Sequence, residues 1–258
     1  MRAPVRIRIA PTLGSLVALV LLLVALPACH QAEAIRKHAL ADSRPLVFEA
    51  IDGVQLAGRM FGPDLATAGI VLAHMKPADQ SSWFDFADQL GGLGYRVLTF
   101  DFRGYCPGGD AGCSGGKKDV AKIWQDVEGA VGLLRSEGVR HIGLVGASMG
   151  GTASLVVASQ AGQAIDAVVT LSAPDSIEGL TAGPDVLQAV TAAKLFLAGN
   201  GDAGAAQTAQ TFYDETIQPK RVEILTTNDH GTDILEGNQG EMAKKLILDW
   251  LGQHVPVS

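Results

Sequence analysis

The chain has 258 residues, 47% hydrophobic and 18% charged, with a formal net charge of -7. That length can enclose one sizeable core, and that apolarity excludes an intrinsically disordered chain. The acidic balance provides no basic face, which excludes nucleic acid as the expected partner.

Arg2, Arg6 and Arg8 precede an apolar run from Leu13 to Leu26. The run falls short of the roughly 20 residues a spanning helix needs, and a basic start with a short apolar core reads as a secretory leader. It ends in Leu26-Pro-Ala-Cys29, which resembles the lipobox of bacterial lipoproteins, with Pro27 departing from the usual small or β-branched residue. The resemblance implies that residues 1–28 are removed and that Cys29 carries lipid. Two acyl chains hold a protein to a membrane at about 0.8 kcal/mol per buried methylene. His30, in place of Asp, fits an outer-membrane destination by the same resemblance. The alternative is cleavage after Ala34, where Ala32-Glu-Ala34 fits a small-x-small site and gives a soluble secreted or periplasmic protein. Residues 29–44 are polar and read as a tether; residues 45–258 read as the single folded domain.

Asp52-Gly53 separates the runs Leu46–Ile51 and Val54–Arg59, which predicts a hairpin. Gly69–His74 is an unbroken apolar run, as expected of a strand buried on both faces. A helix is predicted over Ser82–Leu90, ending at Gly91-Gly92, and a strand over Tyr95–Phe100, closing on Asp101-Phe-Arg-Gly104. Cys106 and Cys113 sit in the Gly-rich loop that follows, and in an exported protein they predict a disulfide rather than two free thiols. Asp119–Glu137 carries Val120, Ile123, Trp124, Val127, Val131 and Leu134 on one helical stripe. Further strands are predicted over His141–Val145, Ala167–Leu171, Lys194–Ala198 and Arg221–Leu225. Helices are predicted over Gly151–Ser159, Asp185–Ala193, Ala205–Asp214 and Glu241–Leu251. A hairpin followed by alternating strands and helices predicts a mostly parallel sheet with helices on both faces.

Gly146-Ala-Ser-Met-Gly150 joins a predicted strand to a predicted helix. In that context G-x-S-x-G is a nucleophile elbow: Ser148 rides a strained turn, and Gly146 and Gly150 leave room for the adjoining strand and helix.

With Gly-Ala-Ser148-Met-Gly, His74 after its strand, Asp101-Phe-Arg-Gly104, Gly-Asp202 and Asp-His230-Gly, residues 45–253 resemble the α/β-hydrolase fold. Within it they are most similar to compact serine esterases and dienelactone-hydrolase-like proteins, although true dienelactone hydrolases carry Cys where this chain has Ser148. The resemblance implies a Ser-acid-His order: Ser148 as nucleophile, His230 as base and Asp202 as the orienting acid, with Asp175 the runner-up. Asp229, adjacent to His230, is poorly placed to approach its ring. The amides of Met149 and Met75 are the expected oxyanion donors. His74, Asp101 and Arg103 are expected to brace loops, and Trp83, Phe84 and Phe86 to enter the core.

The function so implied is hydrolysis of a small-molecule carboxylic ester through an acyl-enzyme, with no metal or organic cofactor. A peptidase or thioesterase on the same residues, and a non-catalytic envelope protein that binds a ligand, are the alternatives. The short span after Leu171 leaves no room for a large lid.

Overall fold

The computed structural model describes residues 40, 43–107, 110–160 and 164–257. The leader, Cys29 and most of the tether expected from the sequence lie outside these residues. Strands β1 (Arg44–Glu49) and β2 (Gln55–Phe61) form the expected antiparallel hairpin around Asp52-Gly53. They are followed by β3 (Ala68–Ala73), helix α1 (Phe84–Gly92), β4 (Arg96–Phe100), α2 (Ile123–Ser136), β5 (His141–Ala147) and α3 (Met149–Ala158). After β6 (Ala167–Leu171) a two-stranded hairpin intervenes, β7 (Ser176–Ile177) and β8 (Leu180–Thr181). The chain closes with α4 (Pro184–Ala189), β9 (Ala193–Gly199), α5 (Ala203–Glu215), β10 (Lys220–Leu225), α6 (Asp233–Glu236) and α7 (Gly240–His254).

Eight strands make one sheet in the order β1-β2-β4-β3-β5-β6-β9-β10. The first two pairings are antiparallel and the rest parallel, as the alternating pattern predicts. The central strands read as unbroken apolar runs because alternate residues feed two cores. Val71 and Ala73 of β3 pack with α2 and α3, while Ile70 and Leu72 pack with α1 and α7. Ile70, Val71 and Leu72, wholly removed from water, each contribute about 1.5–3 kcal/mol. Trp83, Phe84 and Phe86 enter the second core, as expected.

Two differences from the sequence reading concern the span after β6. The helix expected over Asp185–Ala193 stops at Ala189: Val190 turns extended, and its carbonyl accepts a bond from buried Lys194 Nζ at 3.0 Å. Thr191 and Ala192 are irregular, and Ala193 already belongs to β9. The β7–β8 hairpin, four strand residues in all, was too short to leave a periodic signal, and no large lid stands there.

Candidate active site

The parallel strands run in register, so their carboxyl ends open onto one edge of the molecule. Ser148 follows β5 there with φ 48° and ψ -120°, outside the usual regions for a non-glycine residue. Neighbours on every side hold it in place. Its amide donates to Leu171 O of β6 at 2.8 Å, and its carbonyl accepts from Gly151 N and Thr152 N. The two elbow glycines are required by close approach: a Cβ on Gly146 would lie 2.3 Å from Gly150 O, and one on Gly150 would lie 2.4 Å from Ala73 O. The serine is therefore fixed between the ends of β3 and β6. Met149 is the first residue of α3, and first-turn amides have no partner within the helix and sit at its positive end.

His230 lies in the loop after β10. Its Nδ1 donates to Asp202 Oδ2 at 2.6 Å, and Asp202 stands immediately before α5, after β9. Of the acid candidates the structure thus brings Asp202 to His230. Asp229 turns to Thr227, whose hydroxyl donates to its Oδ2 at 2.5 Å, and Asp175 is exposed at the base of the β7–β8 hairpin. The residue after the imidazole anchors the loop. Gly231 has φ 57°, and a Cβ there would lie 2.5 Å from Met75 Sδ and 3.3 Å from Ala147 Cβ. The His230 loop therefore presses against the residue preceding Ser148 and against Met75. Glycine is needed on both counts, backbone angle and contact.

Met75 is also held from behind. His74 is fully buried, with Nε2 accepting from Phe102 N at 3.1 Å and Nδ1 donating to Met75 O at 2.8 Å. Burial pushes its pKa down to about 4, so the ring stays neutral, packed between Phe102 and Tyr105. It braces the loop, as expected of it. Asp101 accepts from Gln80 N and Nε2, and burial raises its pKa to about 6. Arg103 pairs with buried Asp126 and reaches back to both oxygens of Asp52 in the β1–β2 turn. These residues tie loops together and leave the reacting groups to others.

Cys106 and Cys113 are joined by a disulfide. The loop they close begins at Tyr105, beside His74, but its Asp110 pairs with Arg59 on β2, away from the elbow. A polar cleft of about 440 Å³ is lined by Asn200, Thr227, Asn228, Asp229 and Asn238. Among the described residues no cluster of His, Cys, Asp or Glu has the arrangement of a metal site. Lys76, next to Met75, forms an ion pair with Glu178 that nothing in the sequence announces as a contact. Only the turn itself has a signal, Glu178-Gly179 between Ile177 and Leu180, a two-residue turn dipeptide.

A family profile described as the alpha/beta hydrolase fold matches residues 70–237, more than half of the chain. No curated protein matches it. Among solved structures, an esterase from Pyrococcus furiosus superposes with a TM-score of 0.70 at 18% identity, over 85% of this chain and 93% of that one. A dienelactone hydrolase from Anabaena variabilis gives 0.66 at 18% identity, over 83% and 98%. An enol-lactonase from Burkholderia xenovorans gives 0.65 at 17% identity, over 79% and 99%. Likenesses at this identity speak to the fold.

Proposed function

Because the chain belongs to the alpha/beta hydrolase fold family, we propose that it is a serine hydrolase that cleaves carboxylic esters through an acyl-enzyme. The observation that carries this reading is the 2.6 Å contact of His230 with Asp202, on a loop whose next residue packs against the elbow. With Nδ1 protonated toward the carboxylate, Nε2 is the nitrogen that takes a proton. In this reading Ser148 Oγ attacks the ester carbonyl as His230 Nε2 takes its proton. The tetrahedral oxyanion receives the amides of Met149 and Met75. Collapse breaks the bond to the alkoxide, and the imidazolium returns the proton to the departing alcohol. Water, deprotonated by the same nitrogen, then frees the acid. Asp202 holds the tautomer and stabilises the imidazolium without itself being protonated.

The choice of ester follows from what the structural neighbours are called, an esterase, a dienelactone hydrolase and an enol-lactonase, whose substrates share an acyl–oxygen bond. The test is turnover of short p-nitrophenyl esters by the wild type and Ser148→Ala. Hydrolysis lost in a folded variant supports the reading, and retained hydrolysis contradicts it. Turnover of thioesters or peptides in preference to oxyesters would reassign the substrate on the same residues.

The same proposal extends to the rest of the chain: residues 1–28 as a leader, Cys29 as a lipid anchor, 29–44 as a tether and 45–258 as the hydrolase domain. The disulfide supports an oxidising compartment such as the cell envelope. Cys29→Ser should move the protein from the membrane to the soluble fraction; unchanged fractionation would favour the soluble form.

A further inference from the structure

Lys76 Nζ lies 2.6 Å from Glu178 Oε1, and both side chains are about half exposed. Lys76 follows Met75 in the loop beyond β3, and Glu178 sits at the tip of the β7–β8 hairpin beyond β6. In the sheet, β5 lies between β3 and β6. Ser148 leaves the carboxyl end of β5, so the ion pair joins the two loops that flank the elbow on either side.

A second observation is independent of the pair. Ile177 pairs with Leu180, which makes Glu178 and Gly179 the two central residues of a tight turn, with φ 46° and 87°. Such turns favour Asn, Asp or Gly at the first position, and Glu there is strained. Turn geometry therefore does not account for a glutamate, whereas its reach to Lys76 does. The arm that carries it is firmly seated. Leu180 and Ala182 are buried, Thr152 Oγ1 donates to Pro174 O at 2.7 Å, and Ala182 N donates to Asp175 O at 2.8 Å. The tip rests against the turn that opens α2, where a Cβ on Gly179 would lie 3.2 Å from Ala121 Cβ.

Building on the esterase reading, we propose that Lys76 and Glu178 are specificity-determining residues: their ion pair bridges the mouth above Ser148 and restricts it to small esters. Joined, the two side chains occupy the space a long acyl chain would use. Parted, they fold back into solvent and leave the mouth wider. Exposed pairs are weak and screened by salt, so the bridge opens often and sets a modest preference rather than an absolute one.

The experiment compares kcat/KM for p-nitrophenyl hexanoate and p-nitrophenyl acetate in three proteins: the wild type, Glu178→Asn, and the double variant Lys76→Glu with Glu178→Lys. Asn suits the turn and removes the charge, so the hairpin keeps its shape. The ratio of hexanoate to acetate should rise about two- to fivefold in Glu178→Asn. It should return toward the wild-type ratio in the charge-reversed double variant. An unchanged ratio in Glu178→Asn, or no return in the double variant, overturns the bridge. A wild type that hydrolyses neither ester fails the catalytic reading instead and removes the premise on which the bridge stands.

Discussion

Two histidines stand on neighbouring loops at the same end of the sheet, and their surroundings could hardly differ more. His74 has no exposed surface, both ring nitrogens face backbone groups, and burial holds it neutral. His230 keeps 43% of its side chain exposed and has one nitrogen on a carboxylate. A ring locked between a backbone donor and a backbone acceptor has no lone pair left to lend and no room to charge. A ring with one nitrogen held by Asp202 is oriented but can still exchange a proton at the other. The difference lies in the second ring nitrogen, which a backbone group occupies in His74 and which no hydrogen bond given for His230 uses.

The comparison can be broken from either side. His230→Ala should lower ester turnover by about 10^6-fold, the scale on which triad histidines act, while changing stability by no more than about 1 kcal/mol. Asp202→Asn should cost about 10^4-fold by upsetting the tautomer. Asp175→Asn should leave turnover nearly unchanged, and a larger loss there than at Asp202 would move the acid to the other strand. His74→Ala should show the opposite balance. It empties a buried site and orphans the Phe102 amide, so urea unfolding should show a loss of about 3–5 kcal/mol.

A pH series sharpens the contrast. His74 sits at about 4 in the folded protein against an ordinary 6.5. Between those values the unfolded chain binds a proton that the folded ring refuses, so stability from this group falls as pH drops from 6.5 toward 4. The full loss is about 3 kcal/mol, and above 6.5 the group contributes no slope. Asp101, raised to about 6 by burial, works in the opposite sense, since the folded protein keeps a proton that the unfolded chain has released. His74→Gln isolates the first effect: its stability deficit relative to wild type should shrink as the pH is lowered through this window. A constant gap in urea midpoints would mean that His74 charges as easily folded as unfolded. Least in size, reduction of Cys106–Cys113 should cost about 2–3 kcal/mol for so short a loop and spare turnover, since its Asp110 leans on β2.

The parallel core was legible because strands buried on both faces are mostly apolar, and in the runs Gly69–His74 and Ala167–Leu171 a single polar residue each, His74 and Thr170, does not hide the pattern. Ser148 was legible because the strand, the two glycines and the small-residue helix appear in unbroken order. The preference for Asp202 over Asp175 rested on the resemblance alone, because a parallel sheet gathers several strand ends and only side-chain direction decides which carboxylate meets the ring. The β7–β8 hairpin and α6 escaped notice for a different reason: elements of two to four residues have no period to read. The end of α4 was not legible because Lys194, itself a residue of β9, reaches back to the Val190 carbonyl, a contact with no local sequence signal.

The most direct test of the central claim is labelling with a fluorophosphonate, followed by peptide mass analysis. A serine hydrolase of this kind takes a single adduct on Ser148, lost in Ser148→Ala and strongly slowed in His230→Ala. A folded protein that takes no label, or one labelled on another serine such as Ser172, which is also held at positive φ, would contradict the claim.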